Sequence, residues 1–96
     1  IMSYYIGDWV QHTLHPASVP MLVTAIMGDG SMLCSVSRWG GDWKVVSPLL
    51  VKKIDLEPVK ALSLMSHYGG WFYNNETLRS IFQETLVIAL QSRHLK

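Results

Sequence analysis

Turn-forming residues punctuate the stretch from Gly7 to Pro58 about every 8–12 residues, and short runs rich in β-branched and aromatic side chains lie between them. A chain with that rhythm folds as a small antiparallel barrel or sandwich. Trp9–His12 reads as the first strand, entered through a Gly7-Asp8 turn signal. Residues 14–20 hold two prolines and read as a loop. Residues 21–27 are the best strand candidate. They end in Gly28-Asp29-Gly30, a three-residue hairpin connector with glycine available for a positive φ. Residues 31–37 answer as the partner strand. Alternation turns Met32, Cys34 and Val36 inward and Leu33, Ser35 and Ser37 outward. A second hairpin is expected over residues 38–43 around Gly40-Gly41, a favoured two-residue tip. Trp43–Val46 is its return strand, stopped by Ser47-Pro48. Residues 50–56 form one more short strand or a tight turn, closed by Glu57-Pro58. Rolling these five strands into a closed barrel over residues 4–57 removes the edges that an open five-strand sheet exposes.

Beyond Pro58 the apolar period changes from two to 3.6. Residues 62–69 read as a short helix with Ser63 at its N-cap and Gly69 just past its end. Residues 78–94 read as the long helix. Asn74 or Asn75 caps it, Glu76 sits in its first turn, and Arg93 and His94 sit in its last, which suits the helix dipole. Leu78, Ile81, Phe82, Thr85, Leu86, Ala89 and Leu90 make an apolar stripe that Val87 and Ile88 widen. The part after Pro58 is too short to fold alone, so it is expected to pack on the barrel within a single domain, 1–96. The fold class is therefore α+β.

Composition narrows the function classes. Hydrophobic residues make up 49% of the chain and charged residues 16%, which excludes both a disordered chain and a membrane protein. A net charge of +1 leaves no strong electrostatic footprint for nucleic acid or anionic lipid. The one cysteine, Cys34, forbids an internal disulfide and any Cys-rich zinc module. No apolar run has membrane length, and the opening residues lack a signal-peptide pattern. The expectation is a cytoplasmic protein without a membrane partner.

No local pattern carries catalysis. His12 and His15 lie near Asp8 but lack third and fourth ligands on a rigid frame, so they read as loop histidines rather than a metal site. Cys34 has no activating base beside it and reads as a small core residue. Asp8, Asp29 and Asp42 read as turn formers, and Asp55-Leu56-Glu57-Pro58 as the turn that ends the barrel. An enzyme would need His12, His15 or His67 to converge with a carboxylate or with Cys34. The expectation is no catalytic residue, no metal and no cofactor. Trp39 and Trp43 bracket the Gly40-Gly41 tip with Arg38 and Lys44 outside them. They form a cross-strand aromatic pair, or a surface on which a peptide or single-stranded bases stack. Lys52-Lys53 adds a local basic spot. In the run Trp71-Phe72-Tyr73, Trp71 and Tyr73 share a face that glues the tail to the barrel or contacts another molecule.

The residues Ile6-Gly7-Asp8-Trp9-Val10 resemble the IGNWV opening of a group of small proteins from Bacteroides-type bacteria and their prophages. Asp55-Leu56-Glu57-Pro58 and the residues after it resemble that group's DLEPIPLT segment, with Lys60 where the group prefers proline. His67-Tyr68-Gly69-Gly70-Trp71-Phe72 stands where the group has a helix ending in NGF, and Leu86-Val87-Ile88-Ala89-Leu90 is similar to its terminal helix. The resemblance implies a small SH3-like barrel with a helical tail, and implies no activity. Together these readings point to a non-enzymatic interaction module of bacterial or prophage origin that binds a protein partner or itself. The alternative is a weak single-stranded nucleic-acid binder using Trp39, Trp43, Arg38, Lys44, Lys52 and Lys53.

Overall fold

The computed structural model describes residues 3–14, 19–35, 43–67 and 75–94. Strands β1 (Trp9–His12), β2 (Met21–Ile26), β3 (Met32–Ser35), β4 (Trp43–Val46) and β5 (Val51–Lys53) form one antiparallel sheet in the order β4-β3-β2-β1-β5. Helices α1 (Pro58–His67) and α2 (Glu76–His94) follow and pack against each other. The protein is thus α+β, as its hydrophobic periods predict.

Local chemistry sets the turns. The Gly7 N–H donates to Val23 O at 2.8 Å, and the Asp8 N–H closes a turn on Tyr5 O at 3.0 Å. Gly7 takes φ +98°, the left-handed value that glycine adopts without penalty at the third position of such a turn. Asp8 Oδ2 accepts the Tyr5 N–H at 2.8 Å, the turn-forming role expected of it. The β2–β3 hairpin turns at Gly28-Asp29-Gly30. Its Gly30 N–H donates to Met27 O at 3.0 Å, and the Met27 N–H donates to Ser31 O at 2.8 Å. Asp29 Oδ1 accepts from both the backbone N–H and the hydroxyl of Ser31, which holds its carboxyl below the ordinary value. The expected hairpin at Gly40-Gly41 and the turn role of Asp42 fall outside the described residues.

The sheet is open. No ladder joins β4 to β5 among the described residues, and a single 3-10 turn, Pro48–Leu50, connects them. The closed barrel expected from the turn rhythm is corrected to a curled sheet. The strands are too short, and a proline-led corner with one fewer backbone donor stands where the last ladder would run. Curl is nonetheless strong. Lys44 Nζ on β4 comes within 3.4 Å of His12 Nε2 on β1, although two strands separate them in the sheet. A bulge assists: the β2–β3 register shifts between Val23 and Ala25, and the buried Thr24 hydroxyl donates to Leu33 O at 2.8 Å.

Two layers of core share this sheet. On the concave side lie Tyr4, Val10, Met21, Val23, Met32, Cys34, Val46 and Val51. On the convex side Trp9 and Leu22 meet Ala61 and Met65 of α1 and Leu78 of α2. Met32 and Cys34 point inward as alternation predicts, and Val36 lies outside the described residues. Ser35 is fully buried as well, because the outer face it was assigned to is covered rather than solvated. Ser35 Oγ has no hydrogen-bond partner among the described residues. Ser35→Ala removes a buried hydroxyl that lacks a partner, so it should stabilise the fold by about 1 kcal/mol. A raised urea midpoint measures this, and a lowered midpoint refutes it.

Three helix and strand expectations need correction. The first helix begins at Pro58 and not near Ser63, which lies exposed inside it. Proline fits the first helical position because its missing N–H would have no partner there, and Glu57 O accepts the Ala61 N–H at 2.9 Å. The expected C-terminal glycine of this helix, Gly69, lies outside the described residues. The last strand covers only Val51–Lys53 of residues 50–56. On α2, Asn75 caps as expected, its Oδ1 accepting the Leu78 N–H at 3.2 Å. Leu78 and Ala89 are buried, but Leu90, Val87 and Ile88 are exposed. Each residue turns about 100° round the helix, which carries these three off the Leu78–Ala89 stripe.

Candidate functional site

Of the six residues expected to bind, the structure describes Trp43 and Lys44; Arg38, Trp39, Trp71 and Tyr73 lie outside the described residues. Both described residues sit on β4, at one end of the strand order. Register places Trp43 opposite Ser35 and Val45 opposite Leu33, while Lys44 faces Cys34 and Val46 faces Met32. Trp43 and Val45 therefore share the convex face with Leu22, and Lys44 and Val46 share the concave one. The helices bury Leu22, but at β4 the same face is open: Trp43 is 42% exposed and Val45 59%. This is an apolar pair on an end strand, where proteins ordinarily place charge or proline.

The described cations on the sheet are dispersed. Lys44 lies beside His12 across the concave side. Lys53, on β5 at the other end of the strand order, reaches Asp8 Oδ2 at 3.3 Å. Its Nζ also stands 5.5 Å from the centre of the Tyr4 ring and 5.4 Å from that of Tyr5. Tyr4 is buried, and its hydroxyl donates to Val51 O at 3.0 Å and Pro48 O at 3.3 Å. Burial raises the Tyr4 phenol above its ordinary value, the nearby Lys53 charge opposing it. This group escapes sequence reading because the Tyr4-Tyr5 doublet and Lys53 are remote along the chain, and no local pattern couples them.

Gly7, Trp9, Pro58, Ala61, Ile81 and Ile88 line an apolar groove of about 200 Å³ where the Gly7 turn meets the two helices. Among the described residues no cluster of three or more His, Cys, Asp or Glu is arranged to hold a metal ion, and no helix is long and apolar enough to cross a membrane. His15 and the side chain of His67 lie outside the described residues.

Cys34 is a buried free thiol in the concave core, and burial pushes its pKa up to about 11. A thiol so protonated and so enclosed is a poor nucleophile. With Ellman's reagent at pH 8, the native protein should react at least about 100-fold slower than the urea-unfolded chain. Comparable rates in both states would show that Cys34 is accessible after all.

No protein-family model, no curated protein and no solved structure matches the chain.

Proposed function

We propose that the chain is a non-enzymatic interaction module that pairs through β4, first of all with a second copy of itself. The single observation carrying this reading is the Trp43 and Val45 pair, solvent-exposed on the convex face of an end strand. Two-fold pairing of one end strand against its own copy brings the same apolar residues of both chains together, and such isologous contacts are the commonest in homo-oligomers. We read the curled sheet as an open, SH3-like partial barrel. The strand order and the 3-10 turn between the two outermost strands support this. The resemblance to small bacterial and prophage proteins points the same way.

The positions of the cations favour a protein partner over nucleic acid. Lys53 is engaged by Asp8 and two tyrosines, and Lys44 reaches toward His12 on the concave side, away from Trp43. A continuous track for a phosphate backbone is not built from such a set.

Sedimentation equilibrium tests the reading. The native chain should approach the mass of two chains at high micromolar concentration, and Val45→Lys, a charge placed on the end strand, should return it to one. A native chain of single mass at every concentration overturns self-pairing. Oligothymidylate binding that weakens steeply with salt would favour the nucleic-acid alternative instead.

A further inference from the structure

We infer that Tyr4, Tyr5 and Asp8 form a seat for a quaternary ammonium group, which Lys53 occupies in the resting chain. This goes beyond the β4 reading and stands independently of it, since it involves the N-terminal turn and β5. A cation within about 6 Å of an aromatic ring centre is attracted by the ring's negative face. Lys53 Nζ meets that criterion twice, at 5.5 Å from Tyr4 and 5.4 Å from Tyr5, with the Asp8 carboxylate oxygen 3.3 Å away. Two aromatic faces and one carboxylate around a single point are the chemistry that recognises alkylammonium cations.

The seat is held in shape by parts other than its occupant. Tyr4 is buried and anchored by its hydroxyl to Val51 O and Pro48 O. Two hydrogen bonds, Tyr5 N–H to Asp8 Oδ2 and Asp8 N–H to Tyr5 O, fix the Asp8 carboxylate and the Tyr5 backbone, while the Tyr5 ring itself is 65% exposed and closes the seat from the solvent side. The Gly7 N–H and Asp8 O then fasten that turn to Val23 of β2. Preorganisation of this kind lowers the cost of binding. Lys53, in contrast, is about half exposed, with a flexible stem on a short outer strand. It can swing out and leave the Tyr4 and Asp8 walls standing, with the exposed Tyr5 ring free to close on a new cation. A quaternary ammonium is the class that displaces it, because such a cation sheds its water more readily than a primary ammonium and so keeps more of its attraction to the rings in solution.

The test uses tetramethylammonium chloride as the probe and follows the ring-proton NMR signals of Tyr4 and Tyr5, with sodium chloride at equal ionic strength as control. K53A and K53T both empty the seat, and the threonine variant retains strand propensity should the alanine variant misfold. Both should bind the probe saturably at millimolar concentration, and the native chain about tenfold more weakly because Lys53 competes. D8N in the K53A background should weaken binding again while sparing the Tyr5 N–H contact. Two further arms distinguish sources: a trimethyl-lysine peptide binding more tightly than choline assigns the seat to a protein side chain, and choline binding as tightly as the peptide assigns it to a small ammonium compound. The proposal is overturned if neither folded variant gives a saturable shift, if sodium chloride reproduces the shift, or if the native chain responds to none of the three probes.

Discussion

Gly7→Val should lower the unfolding free energy by about 2–4 kcal/mol, a substantial part of the roughly 5–15 kcal/mol available to a domain of this kind. Two independent terms contribute. The residue sits at φ +98°, where a β-branched side chain costs on the order of 1–3 kcal/mol. A Cβ built there overlaps Ile81 Cδ1 of α2, the far end of a flexible side chain, which must turn aside at a cost of about 1 kcal/mol more. The terms can be separated. Ile81→Val deletes the colliding methyl and by itself costs about 0.5–1.5 kcal/mol. In the Gly7→Ala/Ile81→Val double variant the collision is gone, and the backbone term and the lost methyl remain. The pair should therefore cost about 1 kcal/mol less than the sum of the single changes. Urea unfolding of the four proteins measures the cycle, and strict additivity would mean that Gly7 and Ile81 do not press on each other.

Leu22→Ala should cost about 3–5 kcal/mol, at the upper end for such truncations. Leu22 is fully buried on β2, between Trp9 and Ser35 on its neighbouring strands. It is the sheet's fully buried contribution to the layer that holds Ala61, Met65 and Leu78, so the hole it leaves lies where the helices meet the sheet. The effect should also be directional. Amide exchange in α1 and α2 should speed up more in Leu22→Ala than in Met32→Ala, a truncation in the concave core cluster, whose described members all lie outside the helices. Equal loss of helix protection in both variants would mean that the two layers unfold as one and that Leu22 has no special part in docking the helices.

These two positions differ in how readily they are found from the residues alone. Gly7-Asp8 reads as a turn because glycine beside an aspartate favours that geometry locally. The Gly28-Asp29-Gly30 hairpin and the Asn75 cap are legible for the same reason, since every partner lies within a few residues. Met32 and Cys34 follow from alternation. The start of α1 escaped because Pro58 both ends an extended segment and opens a helix, and the two roles look alike in one dimension. The burial of Ser35 escaped because alternation assigns faces without saying what covers them.

What the chain encodes locally is therefore its rhythm: short strands, tight turns, then two helices of 3.6 period. Those features depend on backbone preference and on hydrogen bonds spanning a few residues. Whether the sheet closes, which face the helices cover, and that Lys53 lands on Tyr4, Tyr5 and Asp8 all depend on contacts between residues far apart in the chain. Such contacts are selected by how the whole sheet curls and how volumes fill between layers, and no window of neighbouring residues contains that information.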